Sequence, residues 1–246
     1  DRPVLVQYAE WIGRVARFDF GRSFAYDRPV RELVTERAGN TALLATVALV
    51  VATLIGVPLG VLTGARRRGF ASTVIRTSSI ALLSLPPLLT SLLLVFIAAR
   101  TGWLPIGGMQ SLGEQAGSIG DIALHMVVPV LAIGLPMAAM LERLQSQSMA
   151  EVIGQPFVRA SLARGVPRTR AVWRHALAVA IKPVASMYGV IVGSVLSGSF
   201  AVEIVTAWPG LGRLMLDALR TRDIYLVAGC AATGAVILAT GTFISD

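Results

Sequence analysis

The amino-acid sequence predicts an all-α polytopic membrane protein, and three observations carry that reading. Of 246 residues, 54% are hydrophobic and only 15% are charged, which lies outside the range of soluble domains. Five stretches, at about 41–65, 74–99, 122–141, 184–206 and 224–244, are long and apolar enough to be spans; crossing ~30 Å of hydrocarbon takes ~20 residues. Basic side chains collect in alternate connections. Residues 66–76 hold four arginines and no acid, and 142–182 hold seven basic against two acidic groups. The other connections are nearly balanced, with seven basic and six acidic groups in 1–40, one and two in 100–121, and three and three in 203–223. Lys and Arg mark cytoplasmic loops, so 66–76 and 142–182 face the cytoplasm and 1–40 is an extracytoplasmic segment. The net charge of +8 therefore reports orientation, and no nucleic-acid partner is needed to explain it.

Taken in order, 1–40 is a polar leader beginning "DRPVLVQYAEWIGR", which does not have the form of a cleaved signal peptide. Its start at Asp1 and the odd span count are together accounted for by a further span ahead of it. The first span contains "GVPLGVLTG", where Gly56, Gly60 and Gly64 recur every fourth residue along one helix face. Such a row lets another helix backbone approach closely. The second span contains "SLPPLLT", with Pro86 and Pro87 at mid-helix, and in the third Pro129 and Pro136 flank "VLAIGL". Proline removes a backbone donor and tends to bend the helix. Freed carbonyls survive in a membrane only against protein or a watery cavity. Ser84, Pro86, Thr90 and Ser91 are therefore candidates for lining a translocation path, although the hydroxyls can equally bond their own backbone. The fourth span repeats the small-residue spacing with Gly189, Gly193 and Ser197, and Gly193 and Ser197 join the path candidates. The fifth holds the single cysteine, Cys230, which reads as a small packing residue; neither a disulfide framework nor a cysteine metal site can be built from one.

Several chemistries are disfavoured by what the spans lack. Glu203 and His125 sit near span ends and Arg76 and Arg143 at the cytoplasmic side, leaving no Asp, Glu, Lys or His at mid-span. Ion-driven secondary carriers usually need such relays. An ATP-binding GxxxxGK[ST] loop needs a lysine in that context, and the one lysine, Lys182, follows isoleucine. With two histidines and no HExxH, an enzyme reading has little support, and no catalytic or metal-binding residue is assigned.

The loop 150–183 is the most informative cytoplasmic segment. In "PFVRASLARG", Pro156 and Gly165 stand in the order preferred at a helix start and just past its end. Pro167 then opens a second helix to about Ile181, with an apolar stripe of Val172, Trp173, Ala176, Leu177, Ala180 and Ile181. An interfacial anchor on lipid phosphates is the default for an arbitrary basic loop, but a short helix isolated between breakers argues against it here and suits docking into a groove on a soluble partner.

These residues resemble a known family, the inner-membrane permeases of binding-protein-dependent ABC importers, in the peptide and nickel branch. Its EAA loop follows Glu-Ala-Ala-x-x-x-Gly. Here Arg159, Ala160 and Ser161 occupy the first three positions and Gly165 the glycine, with arginine in place of glutamate. "LVQYAEWIGRVARFDFGRSFAYDRPV" is similar to the branch's first extracytoplasmic segment, and "VEIVTAWPGLGRLMLDALRTRD" to its last. The resemblance implies a type I permease fold with five of six spans present, 41–246 forming the transmembrane domain, in a bacterial inner membrane. It implies that Pro156, Phe157, Arg159, Ala160, Ser161, Arg164 and Gly165 meet an ATPase subunit, and that Trp208, Pro209, Gly210 and Gly212 meet an extracytoplasmic binding protein. The expected partners are a homologous second permease subunit, two ATPase subunits that bind ATP and Mg, that binding protein and membrane lipid. The chain itself would hold no cofactor and perform no chemistry. Short peptides are the expected cargo, with nickel or another small solute as the alternative.

Overall fold

A computed structural model describes residues 3–15, 17–66, 68–111 and 117–245. Arg67, one of the four arginines of the first cytoplasmic loop, and 112–116 in the extracytoplasmic connection lie outside the described residues. The helices are α1 (Val4–Val15), α2 (Val30–Ala65), α3 (Phe70–Leu83), α4 (Pro87–Thr101), α5 (Ile119–Val152) and α6 (Pro156–Ala163). They continue as α7 (Arg168–Arg170), a π-helical stretch (Ala171–Ala176), α8 (Leu177–Ala180), α9 (Lys182–Ala185), α10 (Tyr188–Val205), α11 (Leu211–Arg220) and α12 (Ile224–Ser245). Four of these, α2, α5, α10 and α12, are long and apolar enough to cross a membrane, and α3 with α4 make a fifth candidate if that bent pair is counted as one span.

The first apolar run lies in a helix that begins at Val30, well ahead of residue 41. Residues 30–40 are too polar to read as a span, but they continue the helix outward. Arg28 bridges Glu32 at 3.3 Å and Glu36 at 2.8 Å across the first exposed turns. The segment 1–40 thus contains α1, a loop and the outer turns of α2.

The glycine row packs as its spacing predicts. A Cβ on Gly56 would meet the Ala138 carbonyl oxygen at 2.5 Å, one on Gly60 would meet Gln145 Cβ at 2.6 Å, and one on Gly64 would meet Met149 Cβ at 2.6 Å. Each glycine therefore seats one turn of α5, and the two long helices run side by side for three turns. Lipid tails are as apolar as leucine, so close van der Waals packing of this kind holds membrane helices together. α5 is the central helix: 61% of its most apolar stretch is buried, against 17% for α12.

The prolines divide into two classes. Pro129 and Pro136 stay inside an unbroken α5, and Pro58 inside α2. The Pro86-Pro87 pair instead ends α3 and starts α4, and the two arms bend by 106°. The expected second span is therefore broken rather than kinked. The physical reason lies in their adjacency: Pro87 pushes Pro86 into extended backbone, at ψ 150°, and takes the first helical position of α4 itself.

Among the described residues, three apolar clusters form the core. An outer one joins Phe20, Val30, Val34, Leu211, Leu226 and Cys230, which gives the cysteine a packing position. A central one joins α2 and α5 to α10 through Leu44, Ala48, Ile133, Leu141, Ile191 and Trp208. A cytoplasmic one surrounds Val158 of α6.

Candidate functional site: a coupling helix and its anchorage

α6 is a self-contained part. Gln155 enters in extended backbone, Pro156 occupies the first helical position, and the Gln155 carbonyl accepts from the amides of Val158 and Arg159 at 3.1 and 3.2 Å. At the far end Gly165 sits at φ 83°, in the left-handed region. Its N–H donates to Leu162 O at 3.0 Å, and that of Val166 to Ser161 O at 3.2 Å. These two bonds are the Schellman pattern, which satisfies carbonyls a helix end otherwise leaves free. The eight residues form a rod of ~12 Å that both breakers hold to length.

One face of α6 is keyed into the membrane domain. Val158, 1% exposed, packs with Val61 from α2, Met149 and Val152 from α5, and Val172, Ala176 and Ala180 from the following helix. Ser161 is buried and donates to Phe157 O at 2.9 Å. The opposite face presents Phe157, Arg159, Ala160, Leu162 and Arg164 to solvent. The residues expected at an ATPase contact thus separate into two roles: Arg159, Ala160, Phe157 and Arg164 point outward, while Ser161 faces the anchorage with Val158, a residue that the sequence reading had not singled out. Its signal was present, as the one β-branched residue amid the polar and small positions of "PFVRASLA".

The stripe expected after Pro167 also forms. Val172, Ala176 and Ala180 are buried, Leu177 and Ile181 half-buried, and Trp173 departs from the stripe by standing exposed. The helix runs through a π-helical stretch rather than regular α-turns. Arg168 donates to the free Ala65 carbonyl at the end of α2, at 3.4 Å, and Ser148 of α5 donates to Ala180 O at 2.8 Å. Both long helices are therefore bonded to the segment that carries α6.

On the extracytoplasmic side, the residues expected at a binding-protein contact are mostly turned inward. Trp208 is fully buried, its indole N–H donating to Asn40 O at 3.1 Å, and Pro209 O accepts from the Asn40 amide at 2.8 Å. Gly210 leaves no room for a Cβ against the Glu203 carboxylate. Gly212 donates its N–H to Glu203 Oε2 at 2.7 Å, and Thr41 of α2 donates to Glu203 Oε1 at 2.7 Å. Glu203, noted in the sequence only for lying near a span end, is thus the buried centre that ties this turn to α2 and α10. The half-buried Pro209 is the one of the four with side-chain surface to offer.

A second carboxylate holds the outer loop. Asp223 precedes α12 and accepts from the Leu226 amide at 3.1 Å, the pattern of an N-cap. Its other oxygen accepts from the Ser23 hydroxyl at 2.6 Å and the Ala25 amide at 3.2 Å, which fastens the loop ahead of α2 onto the α11–α12 junction. Burial by itself raises its pKa, but the bonds from Ser23, Leu226 and Ala25 outweigh this and leave it below the usual carboxylate range. A depressed folded pKa means that its contribution is complete above the unfolded value near 4 and is lost as pH falls through the folded one. Asp223→Asn is accordingly expected to lower the thermal midpoint of the detergent-solubilised protein at neutral pH. The gap to the parent should close as the pH falls below ~4, and a gap that is independent of pH would refute the charged latch.

The path candidates do not form one surface within this chain. Ser84 and Pro86 lie exposed at the bend, and Ser84 donates to Ile80 O at 3.0 Å. Thr90 and Ser91 are buried in α4 and bond the carbonyls of Pro86 and Leu88 at 3.3 and 2.7 Å. Gly193 and Ser197 share a crevice of about 330 Å³ between α10 and α12. Pro87 comes within 3.4 Å of the space above Gly198, so α4 rests on α10 beside that crevice.

Residues 56–246 match the model of the binding-protein-dependent transport system inner membrane component family. The chain belongs to that family. Among curated relatives, it is 32% identical to the oligopeptide transport system permease protein AppB of Bacillus subtilis, over 99% of this chain and 78% of the relative. It is 32% identical to the oligopeptide transport system permease protein OppB of Mycobacterium bovis, over 98% and 77%. Similarity to the glutathione transport system permease protein GsiC of Salmonella choleraesuis is 33% over 91% and 70%. The all-helical architecture is the type I permease fold, and this permease is a multi-pass protein of a bacterial inner membrane and a transport subunit of an ABC complex.

Proposed function

We propose that this permease forms half of a translocation path for short peptides, completed by a homologous second permease subunit. In this reading two ATPase subunits, carrying ATP and Mg, bind below, and an extracytoplasmic substrate-binding protein delivers cargo from above. The observation that carries the reading is the seating of α6. A rigid rod with Phe157, Arg159 and Leu162 outward and Val158 lodged among the ends of α2, α5 and the π-helical segment suits transfer of a push into the bundle. Closure of the ATPases would displace α6 as a body, and because Val158 shares one buried apolar cluster with residues of both long helices, the spans would tilt between inward- and outward-facing states. The chain performs no chemistry in this scheme; it converts motion into access. The relatives named for oligopeptide transport support peptides as cargo, ahead of nickel or another solute.

The assembled transporter, reconstituted in vesicles with its binding protein, is expected to accumulate a labelled tripeptide only when ATP is present on the ATPase side. Uptake of nickel in place of peptide would reassign the cargo within the same branch, and peptide uptake without any ATPase subunit would overturn the scheme.

A further inference from the structure

A cavity of about 530 Å³ opens between the second half of α3 and the cytoplasmic end of α5, away from α6 and from the α10–α12 crevice. Helical spacing builds it: Arg76, Ser79, Ile80 and Leu83 fall along one face of α3, and Glu142, Arg143, Ser146 and Gln147 along one face of α5. Arg76 is held in place by one donor, which bonds the Thr63 carbonyl at 2.9 Å near the end of α2. Glu142 is buried in the floor, and its carboxylate accepts from the Thr63 hydroxyl at 2.5 Å. Among the described residues neither Arg76 nor Arg143 has a carboxylate within ion-pair distance. Two guanidinium groups with unused donors therefore meet the Ser79 and Ser146 hydroxyls and the Gln147 amide around one space.

We infer that this cavity is a binding site for the phosphate headgroup of an anionic phospholipid of the cytoplasmic leaflet. Three features select that ligand. The charge distribution places the site at the cytoplasmic face, where anionic headgroups lie and where basic pockets between helices take them. Guanidinium forks match phosphate oxygens with paired donors. The wall above the arginines is apolar and open, with Ile80 61% and Leu83 36% exposed on α3, and so offers a bed for the acyl chain that a headgroup carries. A free oxyanion would use the arginines and leave that wall bare.

The test is lipid retention by the assembled transporter, purified from nanodiscs of phosphatidylcholine with a minority of phosphatidylglycerol and read by native mass spectrometry. The wild type is expected to retain phosphatidylglycerol in preference to phosphatidylcholine. Arg143→Gln is expected to lower that retention about fivefold, the weight of one near-surface basic charge, and the double variant with Arg76→Gln to remove the preference. Arg76 also caps α2, so if the double variant fails to assemble, Arg143→Gln, whose side chain is exposed, decides the matter alone. Equal retention of the two lipids by the wild type, or no change in Arg143→Gln, overturns the site. So does an equal loss in Arg174→Gln, outside the cavity, which would show a bulk charge effect. Complete displacement of the lipid by millimolar inorganic phosphate would reassign the cavity to a free oxyanion.

Discussion

Gly60→Leu is expected to leave the chain unable to assemble its central helix pair. A Cβ at this position would stand 2.6 Å from Gln145 Cβ and 2.7 Å from the Glu142 carbonyl oxygen, and the second of these is backbone that no rotamer change can move. The helices would have to separate along a row that Gly56 and Gly64 extend by a turn in each direction. Overpacking of a close contact typically costs about 1–3 kcal/mol, and a leucine here loosens three turns of contact as well as its own. The upper end of that range is therefore expected. Thermal unfolding of the purified protein in detergent should show a large drop in midpoint or no cooperative transition. Gly39→Leu, in the same helix at a position with nothing within 4 Å of its Cβ direction, should behave as the parent. Similar midpoints for the two variants would dismiss the ladder as the basis of the pair.

Val158→Asp should act on transport with less effect on the fold. The side chain is lodged among Val61, Met149, Val152 and Val172, none of which can pair a carboxylate. A buried unpaired charge costs several kcal/mol, far more than one eight-residue helix can retain, so α6 leaves its seat. Met149 belongs both to this seat and to the last rung of the α2–α5 ladder at Gly64, while the rungs at Gly56 and Gly60 lie beyond it. Vesicles of the assembled transporter are expected to hydrolyse ATP while peptide uptake falls by about tenfold or more. Gly165→Arg should err in the same direction and less severely, because an L-residue at φ 83° costs about 1–2 kcal/mol and leaves Val158 in place. Uptake at the parent level in both variants would remove α6 from the pathway of force.

These two positions also mark what could be read from residues alone. The glycine row and the Pro156 to Gly165 bracket were legible because each is a local rule: a period of four on one face, and a start and stop signal for one helix. The broken second span was half legible, as the prolines announced a disturbance but their adjacency decided its kind. What stayed hidden was long-range pairing. Ser23 and Asp223 are 200 residues apart in the chain, and Thr41 and Glu203 are 162 apart. No periodicity links such partners, and a carboxylate at a span end looks the same whether it meets water or a buried hydroxyl. The same limit misplaced Trp208, whose turn-forming neighbours gave its location but not the Asn40 carbonyl that draws it inward.

The 106° bend has a consequence for the bilayer itself. With 14 and 15 residues, α3 and α4 rise only ~21 and ~23 Å at 1.5 Å per residue, short of the ~30 Å of hydrocarbon, and arms set near a right angle cannot add their lengths. Pro86 and Pro87 also supply no N–H to the carbonyls of Leu82 and Leu83. Carbonyls without a donor cannot face acyl chains, so the bend must be shielded by protein or by a watery recess in that flank of the bilayer.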